Sequence, residues 1–383
     1  MERLFCGEIQ QPVENVILVA KIVVVGTTTH IHHGDALSLY SDWDSADVII
    51  SDGAYGINGF DGDPKTPEGL ADWYRPHIEA WTARSHPGSS LWFWNTEVGW
   101  ATVHHVLIEN GWEYIQTVTW NKGLGHIAGN VNSKTIRSLP VVTEVSALYR
   151  RKPVFVIAGS SEGDDEGGVP ATMQEWLRSE WLRSGLPLSK ANEACGVKSA
   201  ASRKWLTADH MWYAPPSEAI VAMASYCAAH GDPEGAPYFE VEGIPVDQAL
   251  WAQQRGKWNH THGLTNVWDY PAMRNNERVR GRDGKFLHTN QKPLELMRRQ
   301  ILATTSEGDT VWEPFGGLCS ASVAASTIDR NSYAAETNKE FAEAARRRVL
   351  EAREKAWEVE RKQTLFQAQE RAEKSKQSRN RRR

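Results

Sequence analysis

Short apolar runs bounded by glycine, proline and small polar residues alternate along this chain with longer stretches whose apolar positions recur at helical spacing. Runs at 22–25, 48–51, 90–94, 114–120, 145–149, 310–312 and 332–335 read as seven strands. Helices fit 69–83, 98–110, 293–304, 320–328 and 339 to about 372. Such alternation predicts an α/β fold, a doubly wound and mostly parallel seven-stranded sheet with crossover helices. Because the strands fall at both ends of the chain, the sheet is expected to be shared between them.

The pattern breaks at 159–168, a polar, acidic, glycine-rich run with the composition of a linker. From there to about Trp258 the chain reads as helical and tryptophan-rich. The expected organisation is a catalytic domain made of 1–155 and 265–350, a helical insert at 156–264, and a C-terminal helix with a basic tail at 351–383. Within the insert, 188–206 reads as a helix, a turn at Gly196 and a second helix, with 189–192 able to cap the first. That is the spacing of a helix-turn-helix, whose second helix would offer Lys198, Ser199, Ser202, Arg203 and Lys204 to a major groove. Helical hairpins of this kind also occur in proteins that never touch DNA.

Two segments carry the candidate chemistry. Ser51-Asp52-Gly53-Ala54-Tyr55-Gly56 closes one strand, and Glu313-Pro314-Phe315-Gly316-Gly317 closes another far away in sequence. Each puts a carboxylate and small residues where a strand becomes a loop, the edge at which open α/β sheets bind ligands. The two segments are expected to face one cleft.

Their order and content resemble the DNA amino-methyltransferases of the permuted β group, which methylate the exocyclic amine of adenine (N6) or cytosine (N4). Asp52-Gly53-Ala54-Tyr55 is similar to that family's catalytic Asp-Pro-Pro-Tyr. His288-Thr289-Asn290-Gln291-Lys292-Pro293 and Gly308 through Gly317, then Tyr333-Ala334-Ala335-Glu336, resemble its S-adenosylmethionine-binding region. The resemblance covers about 30–155 and 265–350 and implies S-adenosylmethionine as cofactor. It places Asp52, Gly53, Ala54 and Tyr55 on the catalytic side of the site, and Asp35, Asp52, His288, Lys292, Glu313, Phe315, Gly317 and Glu336 on the cofactor side. Asp52 and a backbone carbonyl near Gly53 would accept the amine N–H bonds, while Tyr55 would stack on a base flipped out of the duplex. Glu336 would bind the ribose hydroxyls, and Phe315 would lie beside the methionyl chain.

Two departures stand at the motifs themselves. Gly53 and Ala54 replace two prolines, and Cys319 stands where a second glycine is usual, where its thiol is expected to narrow the approach of backbone to ligand. Asp at the first catalytic position leans the reading to adenine N6. Cytosine N4, a cofactor-binding but inactive DNA-binding regulator and an RNA methyltransferase are the alternatives.

Charge and composition add partners. The formal net charge is -5, so nucleic acid is not expected to bind over the whole surface. Basic residues gather instead at 374–383 and in a loop carrying Arg274, Arg278, Arg280, Arg282 and Lys285, where phosphates could be gripped. Double-stranded DNA is the expected partner, in a restriction-modification, phage or regulatory setting, with a cognate restriction endonuclease and a homodimer as further possibilities. Four dispersed cysteines disfavour a disulfide framework or a zinc site, and the histidine clusters lack ligand spacing, so no metal is expected. The apolar run at 16–25 is too short to span a bilayer, and a reducing cytoplasm is the expected location.

Overall fold

The computed structural model describes residues 20–24, 26–127, 137–153, 172–273, 277–288 and 290–380. The linker run at 159–168, Arg274, Thr289 and the last three residues of the basic tail lie outside the described residues. In chain order the elements are β1 (Ala20–Val24), β2 (Thr27–His33), β3 (Ala46–Ser51), α1 (Leu70–Arg84), β4 (Ser85–Asn95), α2 (Glu97–Glu109), β5 (Trp112–Asn121) and β6 (Thr143–Arg151). There follow α3 (Met173–Arg183), α4 (Lys190–Ala194), α5 (Ser217–His230), β7 (Glu240–Val241), β8 (Ile244–Pro245), α6 (Gln248–Arg255) and β9 (Val267–Asp269). The last part holds α7 (Leu294–Thr304), β10 (Thr310–Glu313), α8 (Ser320–Ser326), β11 (Asn331–Glu336) and α9 (Lys339–Asn380).

The main sheet has nine strands in the order β1-β2-β11-β10-β3-β4-β6-β5-β9, not seven. It is mostly parallel, with antiparallel pairs only at β1 with β2 and where β6 runs between β4 and β5. The additions are β2, whose Thr and His residues form no apolar run, and the three-residue β9. On β2 the apolar work is done by pairing: His30 stacks on Tyr333 of β11 with ring centroids 4.7 Å apart.

Alternation along the central strands assigns the two faces. Ile49, Leu91, Phe93 and Trp312 point to a core shared with Tyr74, Ile78 and Trp81 of α1 and Val103, Val106 and Leu107 of α2. Val48, Ile50, Trp92, Trp94 and Val311 point the other way, onto Leu296, Met297 and Ile301 of α7 and Ala321, Ala324 and Ala325 of α8. Both faces are thus covered, as a parallel sheet requires. Strands β3 and β10 lie side by side and parallel, pairing Val48 with Val311 and Ile49 with Trp312. The segments that follow them therefore leave the same edge of the sheet.

Residues of α3 to α6 bury a separate core around Trp176, Trp181, Ile220, Met223 and Trp251. This part grips the body at the amino ends of the parallel strands. Gly88, at φ +83°, lies so close to α6 that an added Cβ would meet the Gln253 carbonyl at 2.0 Å. Lys257 pairs with Asp309 at 2.5 Å, just before β10, and the Asn259 amide donates to the carbonyls of Leu302 and Thr305 at 2.9 and 2.8 Å. Since β6 runs antiparallel to β4, its last residues also finish at this amino edge.

Candidate active site

Asp52 follows the last residue of β3 and stays partly exposed. Its Oδ1 accepts from Lys292 Nζ at 2.7 Å and from the Tyr55 hydroxyl at 2.8 Å. Oδ2 carries no hydrogen bond among the described residues, so one carboxylate oxygen is held and the other is left open on a side chain that is 22% exposed. The backbone is sorted in the same way. The Ala54 carbonyl accepts from the Tyr74 hydroxyl at 3.0 Å and the Asn95 amide at 2.8 Å. The Gly53 carbonyl accepts none among the described residues.

Behind Asp52 lies a group of charges that sequence reasoning missed. Glu144, the second residue of β6, accepts from Lys292 at 2.8 Å, pairs with Lys122 at 3.0 Å, and lies 2.5 Å from the Tyr55 hydroxyl, whose single proton it shares with Asp52. Burial, the largest influence on Glu144, favours its neutral form. The two lysines outweigh it and hold the carboxyl well below its usual range. Burial likewise works against the Lys292 charge, but Asp52 and Glu144 hold the ammonium above its usual range. Burial and the same two carboxylates push the Tyr55 phenol well up, so it remains a hydroxyl donor. Lys292, expected at the cofactor, is thus placed on the Asp52 carboxylate. No motif marks Glu144, and Trp120-Asn121-Lys122 reads from sequence only as part of a middle strand; strand pairing brings Trp120 opposite Glu144.

The cofactor side is assembled from the carboxyl ends of β2, β10 and β11. Gly317, at φ +52°, donates its N–H to Glu336 Oε2 at 2.6 Å, and Gly34 donates to the Glu336 carbonyl at 2.9 Å. These bonds bring Glu336, Gly317 and the exposed Asp35 together. A Cβ on Gly317 would meet His288 at 3.3 Å, so the imidazole closes over the glycine turn. Burial lowers the His288 pKa. A glycine turn with a partly exposed acid at the adjoining strand end fits a nucleoside with free ribose hydroxyls.

Three expected cofactor-side details differ. Both Glu313 oxygens are taken by the start of α8, from the backbone of Ala321 at 2.9 Å and from the N–H and hydroxyl of Ser322 at 2.7 Å each. Glu313, which is also buried, therefore positions the helix after the glycine turn, whereas Glu336, whose oxygens accept backbone N–H groups from Gly317 and Asn338 at 2.6 Å each, stays partly exposed. The Phe315 ring packs among His77, Trp73 and Trp81, with centroids 4.8, 5.2 and 6.2 Å away, beneath the catalytic loop. Cys319 is fully buried, its side chain in the core with Ile31 and Val323, so the thiol does not narrow the ligand approach. Its φ of +51° explains why glycine suits this position, since a side chain there carries strain of about 1 to 2 kcal/mol.

Burial raises the Glu313 carboxyl to about 7, against the three donors that favour its charge. A folded-state pKa above the unfolded one means that folding holds a proton which the unfolded chain releases. This contribution is complete below the unfolded value and is lost as pH rises through about 7. The urea midpoint is therefore expected to fall between pH 5 and pH 8 by more in the wild type than in Glu313→Gln; equal falls would remove Glu313 as the source.

The two basic groups expected at DNA are not brought together. Residues 278–288 form a hairpin at the catalytic edge, closed by backbone bonds Gly281 to Lys285 at 2.8 Å and Leu287 to Val279 at 2.9 Å. Arg278 and Arg280 lie over the Phe286 ring at 4.0 and 4.4 Å, while Arg282 and Lys285 are exposed. Lys198, Ser199, Ser202, Arg203 and Lys204 belong to the part anchored at the opposite edge. There the expected second helix is a π-helical turn, Ala201–Trp205, and Ser189 makes no capping bond. Asn192 takes up Ser202, receiving its N–H at 3.1 Å and donating to its hydroxyl at 2.9 Å, so that hydroxyl is engaged within the protein. Lys198, Ser199 and Arg203 are exposed. The tail expected at 374–383 continues α9 as helix through Asn380.

A doubly wound sheet with an acid-led loop beside a glycine turn defines a nucleotide-cofactor enzyme acting at the edge between two parallel strands. The chain matches the DNA methylase model of the N6/N4 methyltransferases over residues 46–347, and it belongs to that family, whose methyl donor is S-adenosylmethionine. Among curated relatives it is 35% identical over 114 residues to the type II methyltransferase M2.MboI of Moraxella bovis, covering 27% of this chain and 40% of that protein. To the DNA adenine methyltransferase YhdJ of Escherichia coli (strain K12) it is 34% identical over 92 residues, 24% of this chain and 30% of that one. The chain thus spans two fifths or less of the length of these relatives. A solved M1.HpyAVI–SAM complex is similar at 15% identity and a TM-score of 0.43, covering 84% of this chain and 99% of that one. No helix among the described residues is long and apolar enough to cross a membrane.

Proposed function

We propose that this protein transfers the methyl group of S-adenosylmethionine to the exocyclic amine of a base flipped out of double-stranded DNA, with adenine N6 as the target. The observation that carries the reading is the pair of open acceptors. Among the described residues Asp52 Oδ2 and the Gly53 carbonyl have no donors, while their neighbours Asp52 Oδ1 and the Ala54 carbonyl are engaged. An amine has two N–H bonds, and two acceptors set side by side turn its lone pair toward the methyl carbon and disperse the charge that develops on nitrogen. When bound, the cofactor supplies an electrophilic methyl on sulfonium. Asp35, Gly317, Glu336 and His288 are the residues that would hold it. Tyr55, whose hydroxyl is fixed by Asp52, Glu144 and Lys292, offers the ring face on which the base stacks.

Adenine is favoured over cytosine because the first catalytic residue is Asp and because one relative is named a DNA adenine methyltransferase. The hairpin at 278–288, on the same edge as Asp52, is the better-placed phosphate contact, and the part carrying Lys198 and Arg203 is anchored away from it. A cognate endonuclease belongs to the same reading, since the relative M2.MboI is named a type II methyltransferase. Single-molecule sequencing of DNA from cells expressing the protein should reveal N6-methyladenine in one sequence context that is absent from cells expressing Asp52→Ala. Unmodified DNA would refute the reading, and N4-methylcytosine would correct the base.

Glu336 tests the cofactor side separately. Glu336→Ala is expected to weaken S-adenosylmethionine binding by about 1.5 to 3 kcal/mol, the range for hydrogen bonds to a charged group. Calorimetry returning the wild-type affinity would take Glu336 off the ribose.

A further inference from the structure

We propose that Glu144 is a positioning residue for methyl transfer, acting through Lys292 to keep Asp52 Oδ2 open to the base amine. The inference rests on the methyl-transfer reading above. Lys292 is 5% exposed and has two carboxylates within reach, Asp52 Oδ1 at 2.7 Å and Glu144 Oε1 at 2.8 Å. Its ammonium has three protons, and the Tyr55 oxygen at 3.1 Å is the third acceptor. Without Glu144 the buried cation would have Asp52 as its remaining carboxylate. A lone ammonium beside a lone carboxylate draws in both oxygens, which would close Oδ2 and weaken it as an acceptor for the amine.

Glu144 is itself fixed from behind. Its Oε2 faces Lys122 at 3.0 Å and its Oε1 faces Lys292 and Tyr55, so it is clamped between the end of β5 and the start of α7. The four charged groups, Lys122, Glu144, Lys292 and Asp52, sum to zero, and side-chain exposure rises from 5% at Lys292 to 22% at Asp52. The three groups behind Asp52, the most exposed member of the network, thus sum to a single positive charge that its carboxylate balances. An ion network buried in this way fixes geometry more reliably than it stabilises the fold, because desolvation offsets much of the attraction.

The test is single-turnover methylation of a duplex carrying the target, with wild type, E144Q, K292M and E144Q/K292M. E144Q is expected to slow transfer by about tenfold or more, with unchanged affinities for S-adenosylmethionine and duplex and a similar melting temperature. The double variant should be no slower than K292M alone, because Glu144 acts through Lys292. E144D, which keeps the charge, should recover part of the rate and also serves should E144Q fold poorly. E144Q within twofold of wild type, or losses that multiply in the double variant, would overturn the positioning role while leaving the methyl-transfer reading intact. A wild-type protein that transfers no methyl group overturns both.

Discussion

Asp52→Ala is expected to lower methyl transfer by about a thousandfold or more, the scale seen when a preorganised group at the developing charge is removed. The protein should still fold. Lys292, the buried cation that Asp52 pairs with, keeps Glu144 at 2.8 Å, so the substitution does not leave it unpartnered. Cofactor affinity should stay near wild type, because Gly317, Glu336 and Asp35 are held by their own bonds across β2 and β11. Calorimetry with S-adenosylmethionine and a single-turnover assay on the same preparation separate the two expectations. Transfer within a few-fold of wild type would remove Asp52 from the reaction, whereas loss of both activities would assign it a role in assembling the cofactor cleft.

The parts of this protein legible in its sequence are those where one strand carries its own signal. Runs such as Val48-Ile49-Ile50 and Leu91-Trp92-Phe93-Trp94 mark central strands because both faces of the sheet are covered, and the loops that follow Ser51 and Glu313 could be placed at one edge from strand polarity alone. What depended on partners was not legible. Thr27 to His33 pairs with β11 from Thr29 onward yet contains one aliphatic residue, so no apolar period announced it. Lys292 was recognisable as a motif residue, but its partner Glu144 comes from a strand end with no motif, across 148 positions of sequence. The edge at which residues of α3 to α6 attach follows from the antiparallel course of β6, which a pattern of apolar residues does not reveal. For the same reason the sequence did not show that Lys198 and Arg203 belong to a part attached at the edge opposite the loop after Ser51.

The replacement of the family's first proline by Gly53 has a steric cause in this chain, and it yields the second large expected effect. A Cβ at position 53 would lie 2.5 Å from the Phe315 ring and 2.8 Å from the Tyr74 hydroxyl, closer than any side chain tolerates. Trp73, His77 and Trp81 stand against the Phe315 ring and restrict its retreat, and Tyr74 is tied to the Ala54 carbonyl at 3.0 Å. Restoring the family residue with Gly53→Pro is therefore expected to cost about 1 to 3 kcal/mol of stability by overpacking. It should also depress transfer, because the Gly53 carbonyl is one of the two open acceptors. Phe315→Ala in the same chain removes the obstructing ring, so the double variant should be more stable than the sum of the single losses allows, the coupling expected of residues in contact. Thermal melts of the four proteins decide it. A Gly53→Pro variant as stable and as active as wild type would mean that the loop moves freely of Phe315, and that glycine stands at position 53 for some other reason than the ring beneath it.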